Sequence, residues 1–470
     1  MLCASAYQPW IDKYPGSTAG GKHYCLNRNN TYWEYSRPFW DYQARCSALM
    51  RKGVPVVDIC VYLGQNPPVK LVTYRLPEIP EGYDFDVCTA EALVGRTMAV
   101  DGRLTLPTGI SYSLLVIQRN NDMPLHVLRH IAGLVKGGVI VCGPRPDGSD
   151  SLKDKAESEE YRALVDELWG ELTTVSQIRK VGKGKIYENI PLSEVLKYEN
   201  IRPDIAIKSG NTAKDKVYFV HRRLSDADVY FLNNHSDRAF HDTIRLRTDA
   251  RQAEYWDAVT GQRYMIPVKA SGEKGMLLNL TLAPRESGFI VTSNNQATGL
   301  LPRIADVQET ITPIEGSWNV YFDPRWGGPG KVVFDELIDW TVHADTGIRY
   351  YSGTAVYHKE LNLAMPAQNE RLLLRFPRLG SLARVWVNGK EVVTVWCSPW
   401  EADITSYVHE GKNNLKIEVV NSLMNRMIGD ASLPESERFT YAYPQIVTPT
   451  DKLVPSGIME QLNLVYRQYQ

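Results

Sequence analysis

The segment Ala383–Thr405, ARVWVNGKEVVTVWCSPWEADIT, decides how the C-terminal part of the chain folds. Two apolar runs, Arg384–Val387 and Glu391–Trp396, meet at the dipeptide Asn388-Gly389. Because Asn-Gly readily takes the two positive-φ positions of a tight turn, this pattern predicts a β-hairpin.

A further strand is predicted soon after this hairpin. A turn at Gly411–Asn414 precedes Leu415, Ile417 and Val419, which alternate with polar residues. The segment is also rich in tryptophan: Trp386, Trp396 and Trp400. These features predict a β-sandwich, whose aromatic residues either form a sugar-binding surface or fill the core of a plain scaffold. Trp400 is the candidate sugar-binding residue.

Composition excludes several classes of protein. The 470 residues include 53 basic and 54 acidic side chains, so there is no basic excess to drive binding to nucleic acid or anionic lipid. No run approaches the roughly 18–20 apolar residues of a membrane span. The seven cysteines are widely spaced without a C-x-x-C motif, which argues against a disulfide framework or a zinc site. The length predicts three or four domains.

The stretch from Val54 to about Arg202 predicts an α/β domain. Val54–Leu63 and Leu114–Ile117 are nearly continuous apolar runs, as expected of strands buried on both faces. A helix that begins near Pro124 separates the second run from a third strand, Val139–Cys142, which makes a βαβ unit with a parallel sheet. Cys142 ends that strand, but the sequence Gly-Pro-Arg-Pro follows and cannot begin a helix at once. A catalytic thiol at Cys142 is therefore not favoured.

From Lys216 the apolar period changes to two, which predicts an antiparallel β-sandwich over 203–293. The polar stretch 294–312 is interpreted as a linker, and the tryptophan-rich sandwich follows over 313–470. Before the α/β domain, Met1–Gly53 shows no pattern of a self-sufficient domain, although a helix is predicted over Trp40–Arg51.

Several separated motifs resemble one enzyme family. The order W-V-N-G-K, W-x-x-P-W-x-x-D-I-T and G-x-N-N-L-x-I-E-V-x-N resembles the galactose-binding-like domain of large glycoside hydrolases. The motif GSWNVYFDPRWGGP, which begins at Gly316, and the segments Leu337–Tyr357 and Asn421–Asp430 are similar to the C-terminal part of α-L-rhamnosidases of glycoside hydrolase family 106. Asn27–Arg45 (NRNNTYWEYSRPFWDYQAR) resembles a stretch late in the catalytic region of that family.

The resemblance implies a multidomain fold, α/β plus all-β. Residues 1–53 would be the C-terminal remnant of a (β/α)8 catalytic barrel, and 54–202 a parallel-sheet domain with a glutamine-amidotransferase-like outline. The antiparallel sandwich over 203–293 and the linker would then lead to a galactose-binding-like jelly-roll sandwich over 313–470.

The resemblance also suggests substrate-binding residues. Arg28, Asn29, Asn30 and Trp33 are candidate sugar contacts, because sugar hydroxyls need bidentate polar partners and sugar faces need flat apolar ones. The alternative is that they support the rim of the barrel. His221-Arg222 matches a family motif, and Arg suits vicinal hydroxyls or a carboxylate. The alternative, which we favour, is that this pair bridges two domains.

The implied activity is hydrolysis of terminal α-L-rhamnosyl linkages in a rhamnose-containing polysaccharide or oligosaccharide. It would use an inverting pair of glutamates on the barrel. Those glutamates should lie upstream of Asn27, where no stretch of this chain matches them. The acids Asp12, Glu34 and Asp41 do not stand at obvious strand ends. We therefore expect the C-terminal portion of a glycoside hydrolase, inactive alone. Two alternatives stay open, a non-catalytic carbohydrate-binding or scaffold protein and a fragment of another glycosidase such as a β-galactosidase.

Two further expectations come with the family. A calcium ion near the sugar is implied, with no organic cofactor, and oxygen ligands for a structural calcium could come from Asp335, Asp339, Asp345 and Asp403. The parent protein would be periplasmic or extracellular. Met1–Gly20 lacks the pattern of a signal peptide, which suggests that the chain begins inside a longer protein.

Overall fold

The computed structural model describes residues 30–64, 76–118, 123–146, 148, 155–172, 174–210, 216–272, 275–295, 300, 308–440 and 447–468. The chain divides into two compact units. The central unit comprises Ser47–Leu282 and Ser287–Arg303, and the C-terminal unit comprises Met1–Cys46, Ala283–Glu286 and Ile304–Gln470. No helix in the described ranges is both long enough and apolar enough to span a membrane.

The first part of the central unit is an α/β domain. Its elements, after helix α1 (Arg37–Met50), are β1 (Val54–Pro55), β2 (Ile59–Tyr62), β3 (Phe85–Cys88), α2 (Ala90–Arg96), β4 (Met98–Val100), β5 (Arg103–Thr105), β6 (Ser111–Tyr112), β7 (Leu114–Ile117), α3 (Leu125–Lys136), β8 (Ile140–Cys142), α4 (Lys155–Trp169), β9 (Gln177–Val181), β10 (Gly184–Glu188) and α5 (Leu192–Tyr198). The main sheet has the order β3-β2-β7-β8-β10-β9, and β4, β5 and β6 form a small separate sheet.

The predicted βαβ unit is present. Strands β7 and β8 are parallel neighbours joined through α3, and only β9 runs antiparallel in the main sheet. All four residues of β2 and of β7 are buried, which explains their continuous apolar sequences. Helix α3 ends before Gly137, where a Cβ atom would lie 2.6 Å from the Cβ of Ala99, so the close packing there requires glycine.

The run Val54–Leu63 is not one strand, contrary to the prediction. Strand β1 pairs with Arg222 and Arg223 and so belongs to the sheet of the next domain, whereas β2 lies in the parallel sheet. Asp58 separates the two strands. Its buried carboxylate is engaged by Arg247 and by the hydroxyl of Ser113, so the chain changes sheets at this residue.

The second part of the central unit is an antiparallel β-sandwich. Its strands are β11 (Ile205–Ile207), β12 (Val217–Arg223), β13 (Ala227–Asn234), β14 (Phe240–Leu246), β15 (Gln252–Trp256), β16 (Arg263–Ile266), β17 (Val268–Ala270), β18 (Met276–Leu282) and β19 (Ser287–Ser293). One sheet has the order β1-β12-β13-β19-β15-β16 and the other β11-β14-β18-β17. Short strands are present, as the alternating period predicts, but β11, β14, β16 and β17 were not individually predicted.

The C-terminal unit contains a second sandwich. Its elements are β20 (Glu309–Pro313), β21 (Trp318–Phe322), β22 (Gly330–Phe334), α6 (Thr346–Arg349), β23 (Thr354–Leu363), β24 (Glu370–Arg375), β25 (Leu379–Gly380), β26 (Leu382–Val387), β27 (Lys390–Val395), β28 (Glu401–Asp403), β29 (Gly411–Val420), α7 (Met424–Asp430), β30 (Gly457–Ile458) and β31 (Asn463–Gln468). The six-stranded sheet β22-β21-β23-β29-β26-β27 faces a core shared with the sheet β20-β31-β24-β28.

The predicted hairpin is strands β26 and β27, with positive φ at Asn388 and Gly389. Two boundaries differ from the prediction. Gly411–Asn414 is the start of β29 rather than a turn, because it pairs with the end of β23. Strand β20 begins at Glu309, inside the stretch interpreted as a linker, because it pairs with β31; most of that stretch lies outside the described residues.

The described N-terminal residues pack on the C-terminal sandwich. Thr31 Oγ1 donates to the carbonyl of Asn421 at 2.5 Å, and the guanidinium of Arg384 lies 4.2 Å from the ring centre of Tyr35. Trp396 contacts the aromatic rings of Phe39 and Tyr42. Trp396 is therefore part of this packing, not of a sugar-binding surface.

The core of this sandwich is aromatic, and a substitution of Trp340 measures how much one of these rings contributes to stability. Trp340 is fully buried and its Nε1–H donates to the hydroxyl of Tyr357 at 2.7 Å. We expect Trp340→Ala to destabilise the sandwich by about 3–5 kcal/mol, because it leaves a cavity and an unpaired hydroxyl. Calorimetric unfolding of the chain measures this loss. Val342→Ala, at a position exposed on the same short helical turn, is the control and should change little.

Candidate functional site

A cluster of ionised side chains lies in the central unit where the α/β sheet meets its sandwich. We name Asp58, Asp204, His221, Asp228 and Arg247 the junction cluster. His221 is 1% exposed, with Nδ1 3.2 Å from Asp204 Oδ1 and Nε2 3.0 Å from Asp228 Oδ1. Since both ring nitrogens face carboxylate oxygens, and a neutral imidazole has only one N–H, this geometry favours the imidazolium.

Arginine side chains balance the remaining carboxylates. Arg247 Nη2 lies 2.7 Å from Asp58 Oδ2 and 2.6 Å from Asp204 Oδ1. Burial alone would lower the pKa of Arg247, but the two carboxylates raise it. Arg103 contacts Asp58 at 3.8 Å. Each buried charge in the cluster therefore has an opposite charge beside it, as burial of ions requires.

The position of the cluster indicates a structural joint. Asp58 directly precedes β2, so the cluster lies at the amino end of the parallel sheet. Ligands of open α/β sheets bind at the carboxyl ends of the strands. The cluster instead joins the sheet to the sandwich, since Asp58 belongs to the first domain and His221, Asp228 and Arg247 to the second.

The structure places His221 of the predicted pair His221-Arg222 in the interior, where it bridges Asp204 and Asp228. Its burial favours the bridging role, and sugar contact by the pair stays a prediction. Arg222 donates from Nε to the carbonyl of Lys52 and from Nη2 to that of Gly53, both at 2.9 Å. It thus ties β12 to the chain entering β1.

An open cleft of about 480 Å³ lies beside the cluster. Asp228, Arg247 and Thr248 line it together with the more exposed Arg223 and Asp226. Burial would raise the pKa of Asp228, but the contacts with His221, Thr248 and Arg223 outweigh it and hold the pKa at about 2. Asp228 is therefore a permanent carboxylate near neutral pH and cannot act as a general acid. The cleft offers hydrogen-bonding groups rather than an acid.

Asp84 is a residue that the sequence analysis missed. Its pKa is raised to about 6, chiefly by burial and further by the charges of Asp86 and Asp204, although a hydrogen bond from the backbone N–H of Phe85 opposes this. A pKa near 6 suits a general acid. However, Asp84 directly precedes β3 and so lies at the amino end of the sheet, like the junction cluster. In the sequence, only the alternation of Asp84 and Asp86 with apolar residues could have drawn attention to this carboxyl group.

The remaining candidates from the N-terminal region are placed only in part. Arg28 and Asn29 lie outside the described residues. The carbonyl of Asn30 accepts from the backbone N–H of Trp33 at 3.1 Å, at the start of a short helical turn. Trp33 is 38% exposed. Sugar contact by these residues stays a prediction.

Trp400 packs against the core of the C-terminal sandwich. Its backbone carbonyl accepts from the N–H of Phe376 at 3.0 Å, and its φ is +55°, so the local chain path depends on this position. A structural role accounts for these contacts. Sugar binding by Trp400 stays a prediction.

The four aspartates considered as calcium ligands do not fit that role. Asp339, Asp345 and Asp403 each accept a hydrogen bond from the backbone N–H two residues ahead. They stabilise three separate turns. Asp335 follows β22. Within the described ranges, no group of three or more His, Cys, Asp or Glu side chains is arranged to hold a metal ion.

Cys142 lines a separate depression at the carboxyl end of β8. Burial raises the pKa of its thiol to about 11, so the reactive thiolate is scarce near neutral pH. The backbone continues through Gly143 at φ +157°, packed on the carbonyl of Ile117, without beginning a helix. This geometry argues against a nucleophile elbow.

Comparison with known proteins now identifies the family. The family model described as α-L-rhamnosidase, glycoside hydrolase family 106, matches residues 1–269, more than half of the chain. The chain belongs to this family. A second model, the sugar-binding domain of glycosyl hydrolases family 2, matches residues 305–466, which contain the C-terminal sandwich.

Individual proteins are similar to parts of this family 106 chain. The structure of a rhamnosidase from Novosphingobium sp. PP1Y covers 98% of this chain with a TM-score of 0.85 and 28% identity, and 43% of that protein is matched. A protein of Formosa agariphila named putative β-glucuronidase is 22% identical over 91% of this chain and 54% of its own length. A β-glucuronidase structure from Ruminococcus gnavus covers 35% of this chain and 29% of its own, with 22% identity and a TM-score of only 0.26. The chain thus spans about half the length of the relatives that it matches along most of its residues.

The junction cluster predicts a pH optimum for stability. Burial would lower the pKa of His221, but Asp204 and Asp228 raise it above its ordinary value of 6.5. The contribution of His221 is then complete below pH 6.5 and is lost as pH rises through the raised pKa. The contribution of Asp228 to stability is present above pH 3.8 and is lost as the pH falls toward about 2. Thermal unfolding should show greatest stability of the central unit between these limits.

Variants at two histidines test this origin. His221→Gln should lower the stability of the central unit by about 3–5 kcal/mol below pH 6.5, because it leaves buried carboxylates without their partner. The variant should also lose less stability than the wild type as the pH rises above 6.5. His241→Gln, at an exposed position on β14, is the matched control. If the stability of His221→Gln falls with rising pH as steeply as that of the wild type, the alkaline loss does not come from His221.

Trp400 can be tested separately. We expect Trp400→Ala to lower the free energy of unfolding of the C-terminal sandwich by roughly 2–3 kcal/mol, because a partly buried ring is removed from the core. The melting temperature should fall accordingly. Affinity gel electrophoresis of the folded variant with pectic polysaccharide should show unchanged retardation. A stable variant that has lost retardation would instead place the sugar site at Trp400.

Proposed function

We propose that this chain forms part of a rhamnosidase-like glycoside hydrolase that cleaves terminal α-L-rhamnosyl linkages in polysaccharides or oligosaccharides. The observation that carries the proposal is the match of nearly the whole chain, 98%, to the rhamnosidase structure at a TM-score of 0.85. Family membership over residues 1–269 supports it. A β-glucuronidase activity is the second candidate, favoured by the name of the Formosa relative at 22% identity.

The finer architecture belongs to the same proposal. Residues 1–53 would be the end of a (β/α)8 barrel. The order β3-β2-β7-β8-β10 of parallel strands supports a glutamine-amidotransferase-like outline for the α/β domain. The facing six- and four-stranded antiparallel sheets of the C-terminal unit support a galactose-binding-like jelly roll. In this arrangement the α/β domain is a support without chemistry of its own, as the high thiol pKa of Cys142 suggests.

We propose that the catalytic acid and base are supplied by a part of the protein outside this chain. The chain matches only 43% of the rhamnosidase. Neither Asp228 nor Asp84 suits the role of catalytic acid, because Asp228 stays ionised and Asp84 lies at the amino edge of the sheet. A calcium ion, if the enzyme uses one, would be held by residues other than the four aspartates. Export to the periplasm or the medium would bring the enzyme to its polysaccharide.

Assays with aryl glycosides test this function. We expect this 470-residue chain to leave aryl α-L-rhamnoside intact, and a longer natural form that includes a preceding barrel to hydrolyse it with inversion. Nuclear magnetic resonance of the first product reports the configuration at the anomeric carbon of the released sugar. Turnover by the chain alone would contradict the absence of the catalytic pair. Turnover of aryl β-D-glucuronide but not of the rhamnoside by the longer form would favour the second candidate.

A further inference from the structure

A shallow depression of about 440 Å³ lies on the outer face of the six-stranded sheet in the C-terminal sandwich. Its central row consists of Asn319, His358, Lys416 and Trp386, on four neighbouring strands. Each is the direct cross-strand partner of the next. Since neighbouring strands are about 4.8 Å apart, the row extends over roughly 14 Å, enough for a short oligosaccharide. We name this surface the sheet-face depression.

The alternation of the strands explains why the row is accessible. Val320, Tyr357, Ile417 and Val385 are adjacent to these four residues in sequence and are buried in the core. Successive side chains of a strand point to opposite faces, so the row points away from the core. Asn319 and His358 are exposed, and Trp386 is half-buried. An antiparallel sheet with one solvated face usually carries simple polar residues there, which makes an indole in this row unusual.

Several hydrogen-bonding groups in the depression have no partner in the described part of the chain. The Nε1–H of Trp386 is shielded from solvent and meets no acceptor among the described residues. A shielded donor without an acceptor costs about 1–3 kcal/mol, so a shift of the indole that brings its N–H against a ligand oxygen would be favourable. The side chains of Asn319, His358 and Asn414 likewise line the depression with amide and imidazole groups. Such groups can both donate to and accept from hydroxyls.

Of the charged side chains that line the depression, Lys416 and Glu360 have oppositely charged partners, and Lys359 is held by backbone carbonyls. Lys416 pairs with Glu418 at 2.9 Å, and Glu360 pairs with Lys412 at 2.9 Å. Lys359 donates to the carbonyls of two neighbouring residues. Burial and the charge of Lys416 lower the pKa of His358, so its imidazole is neutral at pH 7. Electrostatic complementarity therefore points to an uncharged ligand.

We propose that the sheet-face depression binds a neutral oligosaccharide, with Trp386, Asn319 and His358 as the main contacts. A flat aromatic group with a polar edge, flanked by amide and imidazole groups, matches a ligand that has apolar C–H faces and many hydroxyls. The ammonium of Lys416, 4.0 Å from the centre of the indole, holds the ring in place. The proposal rests on the carbohydrate chemistry of the proposed function, and the family 2 sugar-binding model covers all of these residues.

Titration calorimetry with the 470-residue chain tests this site. The probes are a neutral rhamnose oligosaccharide and an acidic oligosaccharide of alternating rhamnose and galacturonate. We expect binding of the neutral probe that does not change with salt, because no unpaired charge takes part. We expect Trp386→Ala and Asn319→Ala each to weaken binding by about tenfold, the size of one lost hydrogen bond in a shielded site.

Controls separate a lost site from a lost fold. Tyr321→Ala removes an exposed aromatic ring from the same face of β21, two residues from Asn319, and should leave affinity unchanged. Asn319→Ala replaces an exposed side chain and should keep the wild-type melting temperature. Trp386→Phe should retain part of the affinity, since it keeps a ring but loses the N–H group.

Three results would overturn the proposal: no binding of the neutral probe by the wild-type chain, wild-type affinity in both Trp386→Ala and Asn319→Ala, or salt-sensitive binding of the acidic probe alone. These results are independent of hydrolysis. If the longer form fails to cleave aryl rhamnoside while Trp386→Ala still weakens binding, the proposed activity fails and the binding site stands. If cleavage occurs and the variants bind normally, the activity stands and this site fails.

Discussion

The placement of His221 between Asp204 and Asp228 is the interaction on which the joint inside the central unit depends. Three acids and two cations taken out of water stabilise a fold only when each charge keeps an opposite charge at hydrogen-bond distance. The junction cluster meets this condition with groups from both domains, since Asp58 precedes β2 and Arg247 follows β14. The α/β sheet and the sandwich of this unit are therefore coupled through a buried ionic contact rather than through apolar packing alone.

The same principle separates residues that build the protein from residues that can meet a ligand. In the junction cluster each buried charge lies beside an opposite charge, so these groups serve the fold. Turn aspartates such as Asp339 and Asp345 accept hydrogen bonds from backbone N–H groups and so stabilise their turns. The sheet-face depression differs because it presents amide and imidazole groups at the surface beside the indole of Trp386, whose N–H meets no acceptor among the described residues. Accessible hydrogen-bonding groups, more than residue type, distinguish the proposed binding surface.

The two sandwiches share an architecture but present different outer surfaces. In the C-terminal unit the described N-terminal residues cover part of the outer face around Arg384, through Tyr35 and the carbonyl of Glu34. The row that contains Trp386 lies on the same face, two residues further along β26, and the described N-terminal residues leave it uncovered. Tryptophans of the single segment Ala383–Thr405 thus serve different purposes: Trp396 packs on Phe39 and Tyr42, Trp400 packs on the core, and Trp386 lies at the sheet surface.

The sequence by itself determined the strand-rich character, the Asn388-Gly389 hairpin, the βαβ unit and the family, because these depend on local turn chemistry, on apolar periodicity and on motifs contiguous in the chain. Only the tertiary structure decided which side chains meet. Asp58 and Arg247 are far apart in sequence, so nothing local marked them as an ion pair, and the run Val54–Leu63 could not reveal that it divides between two sheets. Likewise, Trp386 and Trp400 look alike in the sequence. Cross-strand register, which no local pattern specifies, places Trp386 in the row beside Lys416, whereas Trp400 lies between β27 and β28 and packs against the core.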